Sequence, residues 1–159
     1  MDHLQLYAIL GAGLSIGIGA IGPAIGEGMI AMKAVNALGR QPQASGKIVR
    51  MMIIGQAITE TAAIFALVVA LVLLFRTPPD TLIKAITFLS AGLAMGIGSI
   101  GSGLGAGLPG ASAMEGIGNQ PENNDVITIN MIIGQAITQT SSIFALTVAL
   151  ILIISNPEP

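Results

Sequence analysis

The chain has 159 residues, of which 53% are hydrophobic and only 9% are charged, and its formal net charge is −2. A soluble domain carries about 25% charged residues, so this composition excludes an ordinary water-soluble domain and favours a membrane protein. The small negative charge argues against a nucleic-acid partner, and the absence of cysteine excludes disulfides and thiolate metal sites.

The first apolar stretch, from about Leu4 to Leu38, predicts a glycine-rich membrane helix. Its segment Gly17–Gly22 (GIGAIG) fits the dinucleotide-binding pattern G-x-G-x-x-G, but that pattern requires a preceding strand in a βαβ unit, which is absent from the sequence. Glycines recur along the helix well beyond this six-residue segment, and small residues let membrane helices approach closely. We therefore predict a closely packed inner helix, kinked at Pro23, and a similar third helix kinked at Pro109.

A polar loop, GRQPQAS (Gly39–Ser45), separates this stretch from a second one, which runs from about Val49 to Phe75. Both stretches exceed the roughly 20 residues that a membrane helix needs. Four basic residues flank the loop: Lys33, Arg40, Lys47 and Arg50. The positive-inside rule therefore predicts a cytoplasmic loop and places both termini outside.

The second half of the chain repeats the first. The segment MIIGQAIT occurs at Met52–Thr59 and again at Met131–Thr138, so that residue 60 corresponds to residue 139, an offset of 79. We predict an all-α membrane protein with four transmembrane helices, arranged as two fused helical hairpins at residues 1–78 and 79–159. The second hairpin comprises a helix from about Thr81 to Ile117, the loop GNQPENN, and a helix to about Ile154.

Two carboxylates lie inside the predicted membrane helices. Glu27 and Glu60 are at similar distances from the first loop, so a hairpin brings them together. An intramembrane carboxylate is costly and indicates function, and two close carboxylates do not both stay ionised cheaply. We expect Glu60 to carry the exchangeable charge and protonated Glu27 to donate a hydrogen bond to it.

Further oxygen atoms suited to a hard cation lie nearby in the sequence. They are the hydroxyls of Thr61 and Thr140 and the main-chain carbonyls of Ile58 and Ile137. The second half has lost the charges, because Ala106 replaces Glu27 and Gln139 replaces Glu60. The sequence therefore predicts one charged site per four helices.

Taken together, the glycine-rich first helix, the loop GRQP and the carboxylate in GQAITET resemble the c subunit, or proteolipid, of F-type ATP synthases. The resemblance covers essentially the whole chain, twice, and the fused double hairpin with one carboxylate missing is similar to the V-type arrangement. It implies a non-catalytic subunit of a rotor c-ring, homo- or hetero-oligomeric, in the cell inner (plasma) membrane, with glycine helices inside and carboxylate helices facing lipid.

The resemblance also implies how the rotor works. An ion bound at Glu60, Na⁺ or H⁺, is carried around the ring and exchanged through half-channels of the stator a subunit, with no organic cofactor. ATP is made or hydrolysed on partner subunits. The loop residues Arg40, Gln41 and Pro42 are implied to contact the gamma and epsilon subunits of the central stalk.

Sodium-dependent members of the family carry Gln or Glu in the first helix and Ser or Thr after the key Glu, as Glu27 and Thr61 do here. The resemblance therefore favours Na⁺, held by Glu60 and Glu27 of one hairpin and by Thr140 and the Ile137 carbonyl of its neighbour. If the neighbour is on the other side, the hydroxyl and carbonyl come instead from Thr61 and Ile58.

Two alternatives stay open. The tyrosine that sodium-dependent members usually carry five residues after the Glu is Phe65 here, so the first alternative is a proton-specific c subunit of the same fold. A stand-alone membrane pore is the second alternative. A pore requires a stripe of polar residues along the side that faces its lumen, whereas the carboxylates of this chain lie at a single depth.

Overall fold

The computed structural model describes residues 3–77 and 79–155. Over these residues there are six α-helices: α1 (His3–Gly19), α2 (Ile21–Arg40), α3 (Ser45–Phe75), α4 (Leu82–Asn119), α5 (Asn124–Thr138) and α6 (Thr140–Ser155). They form four helical segments that are long and apolar enough to cross a membrane: His3–Arg40, Pro42–Phe75, Leu82–Asn119 and Pro121–Ser155. The predicted double hairpin is therefore confirmed.

The two hairpin loops have the same construction. Gln41 and Gln120 leave the helical conformation, with φ of −132° and −139°, because a residue that precedes proline is pushed out of the α region. Pro42 and Pro121 then each begin a short 3₁₀ turn. The helix after the first loop begins at Ser45, four residues earlier than the second apolar stretch begins in the sequence.

The first segment is interrupted at Ala20, between α1 and α2. Pro23 lies one turn later and has no backbone N–H, so the carbonyl of Gly19 loses its helical partner. Helical hydrogen bonding resumes at once on the other side of the break, because Ala24 N donates to Ala20 O at 3.0 Å. By contrast, α4 continues unbroken through Pro109.

Helix α4 lies at the centre of the chain and packs against each of the other three membrane segments. Its contact with α1 and α2 is made by glycines on both sides. A Cβ atom on Gly92 would overlap the backbone of Gly11, and one on Gly107 would overlap that of Gly26. The glycine-rich segments are thus packing surfaces, and the close approach predicted from the sequence is confirmed.

Two apolar clusters lie at opposite ends of the helices. The cluster near the loops includes Ile30, Ile48, Met51, Met114 and Ile117. The cluster near the termini includes Val69, Leu73, Phe88, Met95 and Ile153. The polar residues of the candidate site lie between the two clusters, at middle depth in the helices.

Large apolar side chains also cover the outside of the chain. Phe75 is 85% exposed, Ile137 68% and Phe144 66%. A surface of this kind is stable against lipid tails or against another apolar surface, but not against water. Together with the four membrane-length helices, this surface identifies a membrane protein.

Candidate functional site

Glu27 and Glu60 come together in the first hairpin. Glu27 lies on α2 and is half-buried, and Glu60 lies on α3 and is exposed on the outer surface of the chain. The two carboxyl groups lie close enough to interact electrostatically. The Oε1 atom of Glu27 is inaccessible to solvent and has no hydrogen-bond partner among the described residues. A buried carboxylate oxygen without a partner suits a proton or a bound cation.

The corresponding position of the second hairpin holds a neutral side chain that is hydrogen-bonded through both its amide nitrogen and its amide oxygen. Gln139 is only 8% exposed. Its Nε2 donates to the carbonyl oxygen of Ile58 at 2.9 Å, and its Oε1 accepts from Ser142 Oγ at 3.2 Å. Gln139 therefore faces the first hairpin of its own chain, and its amide nitrogen already satisfies an oxygen that was among the candidate ion ligands.

The four candidate oxygen ligands fall into two sets. Thr61 Oγ1 donates to Ile58 O at 2.7 Å, so these two residues lie at the contact between the hairpins, on the Gln139 side. Thr140 and Ile137 are exposed on the second hairpin. Within the described ranges, neither of them hydrogen-bonds Glu60. Within the described part of one chain the two carboxylates therefore lie together, but Thr140 and the Ile137 carbonyl do not hydrogen-bond to them.

Gln135 is a buried polar residue that sequence reasoning missed. It is fully buried, and its Nε2 lies 3.0 Å from Gly55 O, 3.2 Å from Thr59 Oγ1 and 3.0 Å from Ala106 O. This one side chain joins α5 to both α3 and α4. Its place in the apolar segment MIIGQAIT was the available signal, because a polar side chain in the core of a membrane protein requires bonding partners.

Replacing Gln135 by alanine is expected to lower the free energy of unfolding by about 1–3 kcal/mol, because it removes a buried donor shared by three oxygen atoms. The measurement is the thermal dissociation of the detergent-solubilised protein. Asn130→Ala is the matched control, since Asn130 is exposed and its Nδ2 bonds only to Val126 O of its own helix. Equal losses in the two variants would contradict this role for Gln135.

Ser102 is the second residue that the sequence reasoning missed. It is fully buried on α4. Its Oγ donates to Thr138 O at 2.7 Å and accepts from the backbone N of Ser142 at 3.2 Å. The hydroxyl thus lies at the point where α5 ends and α6 begins. In the first hairpin the corresponding residue is Pro23, which has no hydroxyl.

The loop residues predicted to contact a partner are accessible. Arg40 and Pro42 are exposed, and Gln41 is half-exposed between them. Near the same end of the helices, Lys33 Nζ lies 2.8 Å from Glu115 Oε2, which joins the first inner helix to the second. Lys33 therefore has an ion-pair partner in the other half of the chain.

The helices and the carboxylate pair define a class of protein: a membrane proteolipid made of two fused hairpins, only one of which carries paired acidic groups at middle depth. The family model of the ATP synthase C subunit matches the chain twice, over residues 10–73 and 89–152. The chain belongs to this family, which supplies the non-catalytic rotor-ring component of ATP synthases. The resemblance inferred from the motifs is confirmed.

Relatives from bacteria and chloroplasts match about half of the chain each. The ATP synthase c subunit 2 of Cereibacter sphaeroides is 48% identical over 77 residues, which are 48% of this chain and 93% of that protein. The ATP synthase c subunit of Petrotoga mobilis is 50% identical over 73 residues, 46% of this chain and 76% of its own. The chloroplastic ATP synthase c subunit of Euglena gracilis is 48% identical over 71 residues, 45% and 88% respectively.

Proposed function

We propose that this chain is a rotor subunit that carries Na⁺ at Glu60 as its ring turns past the stator a subunit. The observation that carries the proposal is the pairing of Glu60, exposed on the outer surface, with Glu27 in the same hairpin. An exposed carboxylate on an apolar helix is accessible to an ion channel in a partner, and the second carboxyl supplies another oxygen.

The contacts between the two hairpins support a site shared between neighbouring chains. Gln139 of the second hairpin reaches Ile58 of the first. Because the hairpins are repeats, the same packing between two neighbouring chains would bring Glu60 to Ile137 of its neighbour. The exposed Thr140 lies on that same second hairpin. The proposed sodium ligands are therefore Glu60 and Glu27 of one chain, with the Ile137 carbonyl and the Thr140 hydroxyl of the next.

In the proposed orientation, the loops lie in the cytoplasm and both termini lie outside. Arg50 and Lys47, exposed near the first loop, support this orientation. Arg40, Gln41 and Pro42 would then meet the gamma and epsilon subunits of the central stalk. The location that follows is the cell inner (plasma) membrane, with lipid around the outer helices.

Protons are the second candidate, and Phe65 favours them. Its ring cannot supply the hydroxyl that a tyrosine at this position would donate to Glu60, and a proton needs only a carboxyl in an apolar environment. A ring that transports protons would have the same fold and the same partners. The two candidates differ in the ion that shields Glu60 from chemical modification.

Carbodiimide labelling of the assembled ring tests the function and the ion together. We expect Glu60 to react and Na⁺ to protect it, because a bound cation occupies the carboxylate oxygens. K⁺ at the same concentration should not protect it. The exposed loop residue Glu122 serves as an internal control that Na⁺ leaves unchanged. If Na⁺ does not change the labelling of Glu60 at any of several pH values, the transported ion is the proton and not sodium.

A further inference from the structure

The outer segments of the two hairpins differ in helical continuity at the level of the site. In the first hairpin, α3 is continuous from Ser45 to Phe75. In the second, α5 ends at Thr138 and α6 begins at Thr140. The eight residues before Glu60 and before Gln139 are identical. The eight shared residues therefore do not account for the break, whereas the residues after the site differ, with Ser141 and Ser142 in place of Ala62 and Ala63.

The hydroxyl of Ser102 enters the main-chain hydrogen bonding at the break, where the hydroxyls of Ser141 and Ser142 also bond to main-chain carbonyls. In a continuous helix, the N–H of residue 142 would donate to the carbonyl of residue 138. Here Ser142 N donates to Ser102 Oγ at 3.2 Å, and Ser102 Oγ donates to Thr138 O at 2.7 Å. A side chain that enters the hydrogen-bond ladder of a helix is a known cause of local opening. Pro23, the counterpart of Ser102, has no hydroxyl to do the same to α3.

The break separates the two residues that the second hairpin contributes to the proposed sodium site. Ile137 precedes it and Thr140 follows it, and both are exposed. The direction of the Ile137 carbonyl and its distance from the Thr140 hydroxyl depend on the backbone conformation between them. We propose that Ser102 is a positioning residue: by opening the helix at Gln139, it sets these two oxygens for the cation bound at Glu60 of the neighbouring chain. This inference rests on the proposed function.

Proton binding and sodium binding depend on different parts of this arrangement. A proton needs only the carboxyls of Glu60 and Glu27, which both belong to the first hairpin. Sodium also needs the oxygens of the second hairpin, whose positions Ser102 sets. A change at Ser102 should therefore weaken sodium binding without changing the response to pH.

The test measures carbodiimide labelling of Glu60 in assembled rings that carry Ser102→Ala. Alanine leaves Ser142 N and Thr138 O free to bond each other, so the helix can close and the ring can still assemble. We expect the sodium concentration that gives half-protection to rise about tenfold, equivalent to about 1.4 kcal/mol. The pH dependence of labelling without sodium should not change. Ser102→Thr keeps the hydroxyl and should stay close to the unmodified protein.

Ser99→Ala is the matched control. Ser99 is also a fully buried serine of α4, but its Oγ bonds to Ala62 O at 3.1 Å and Met95 O at 2.9 Å, away from the break. Its sodium protection should match the unmodified ring.

Three results would overturn the inference, and they have different meanings. If sodium protects the unmodified and Ser102→Ala rings equally, Ser102 does not position the ligands. If Ser102→Ala shifts the pH response as much as the sodium response, its role is general packing. If sodium does not protect Glu60 even in the unmodified ring, the proposed sodium function is wrong, and so is this inference.

Discussion

Replacing Glu60 by glutamine should reduce ion transport by the assembled ATP synthase to the background level. An amide cannot balance the charge of a cation, and in a medium of low dielectric constant the lost attraction amounts to several kcal/mol. Each 1.4 kcal/mol is tenfold in affinity, so the occupancy of the site should fall at least about a hundredfold. The measurement is ion uptake into vesicles driven by ATP hydrolysis.

The control for this variant is Glu122→Gln, which removes a carboxylate from the exposed second loop. It should transport at the normal rate, because Glu122 lies far along the chain from the carboxylate pair. Gln139 offers a natural comparison, since it is the same amide at the corresponding position of the second hairpin. Undiminished transport by the Glu60→Gln ring would falsify the proposal that this carboxylate carries the ion.

Replacing Gly92 by alanine should destabilise the chain more than any other glycine substitution at the α1–α4 contact. The new Cβ atom would overlap the backbone of Gly11, and backbone atoms cannot move aside as a flexible side chain can. Overpacking of this kind costs about 1–3 kcal/mol, and occasionally more. The temperature at which the solubilised ring dissociates should fall accordingly.

Gly46→Ala is the control for the helix contact. No atom lies within 4 Å of a Cβ placed on Gly46, which is exposed in the first turn of α3. Alanine should therefore be neutral there or stabilise the helix by about 0.5–1 kcal/mol, because glycine is the weaker helix former. A Gly92→Ala ring as stable as the Gly46→Ala ring would show that α1 and α4 are less tightly packed than the structure indicates.

The helices and the carboxylate pair could be predicted from the sequence because both depend on local features. Four apolar stretches and the repeat of MIIGQAIT defined the double hairpin. Glu27 and Glu60 lie at similar distances from the first loop, and a helix advances by a fixed rise per residue. Similar spacing along the chain therefore produces similar depth in the structure.

The break at Gln139 could not be predicted from the shared segment, because a hydroxyl on another helix takes part in it. Residues 52–59 and 131–138 are identical, so the segment before the break predicts the same conformation for both hairpins. Only the packing of α4 places the Ser102 hydroxyl against the Thr138 carbonyl. Gln135 was missed for a related reason, since its three oxygen partners come from two other helices.

The covalent connection between α3 and α4 fixes the order of the hairpins around the ring. Phe75 and Leu82 bound the short stretch that links a charged hairpin to an uncharged one. If the two hairpins were separate polypeptides, they would assemble in random order. The spacing between carboxylate-bearing hairpins would then vary around the ring. In a ring of this fused chain alone, hairpins with and without the carboxylate would alternate. Fewer ions would then cross the membrane per revolution. Each ion would therefore have to supply more of the work of turning the ring.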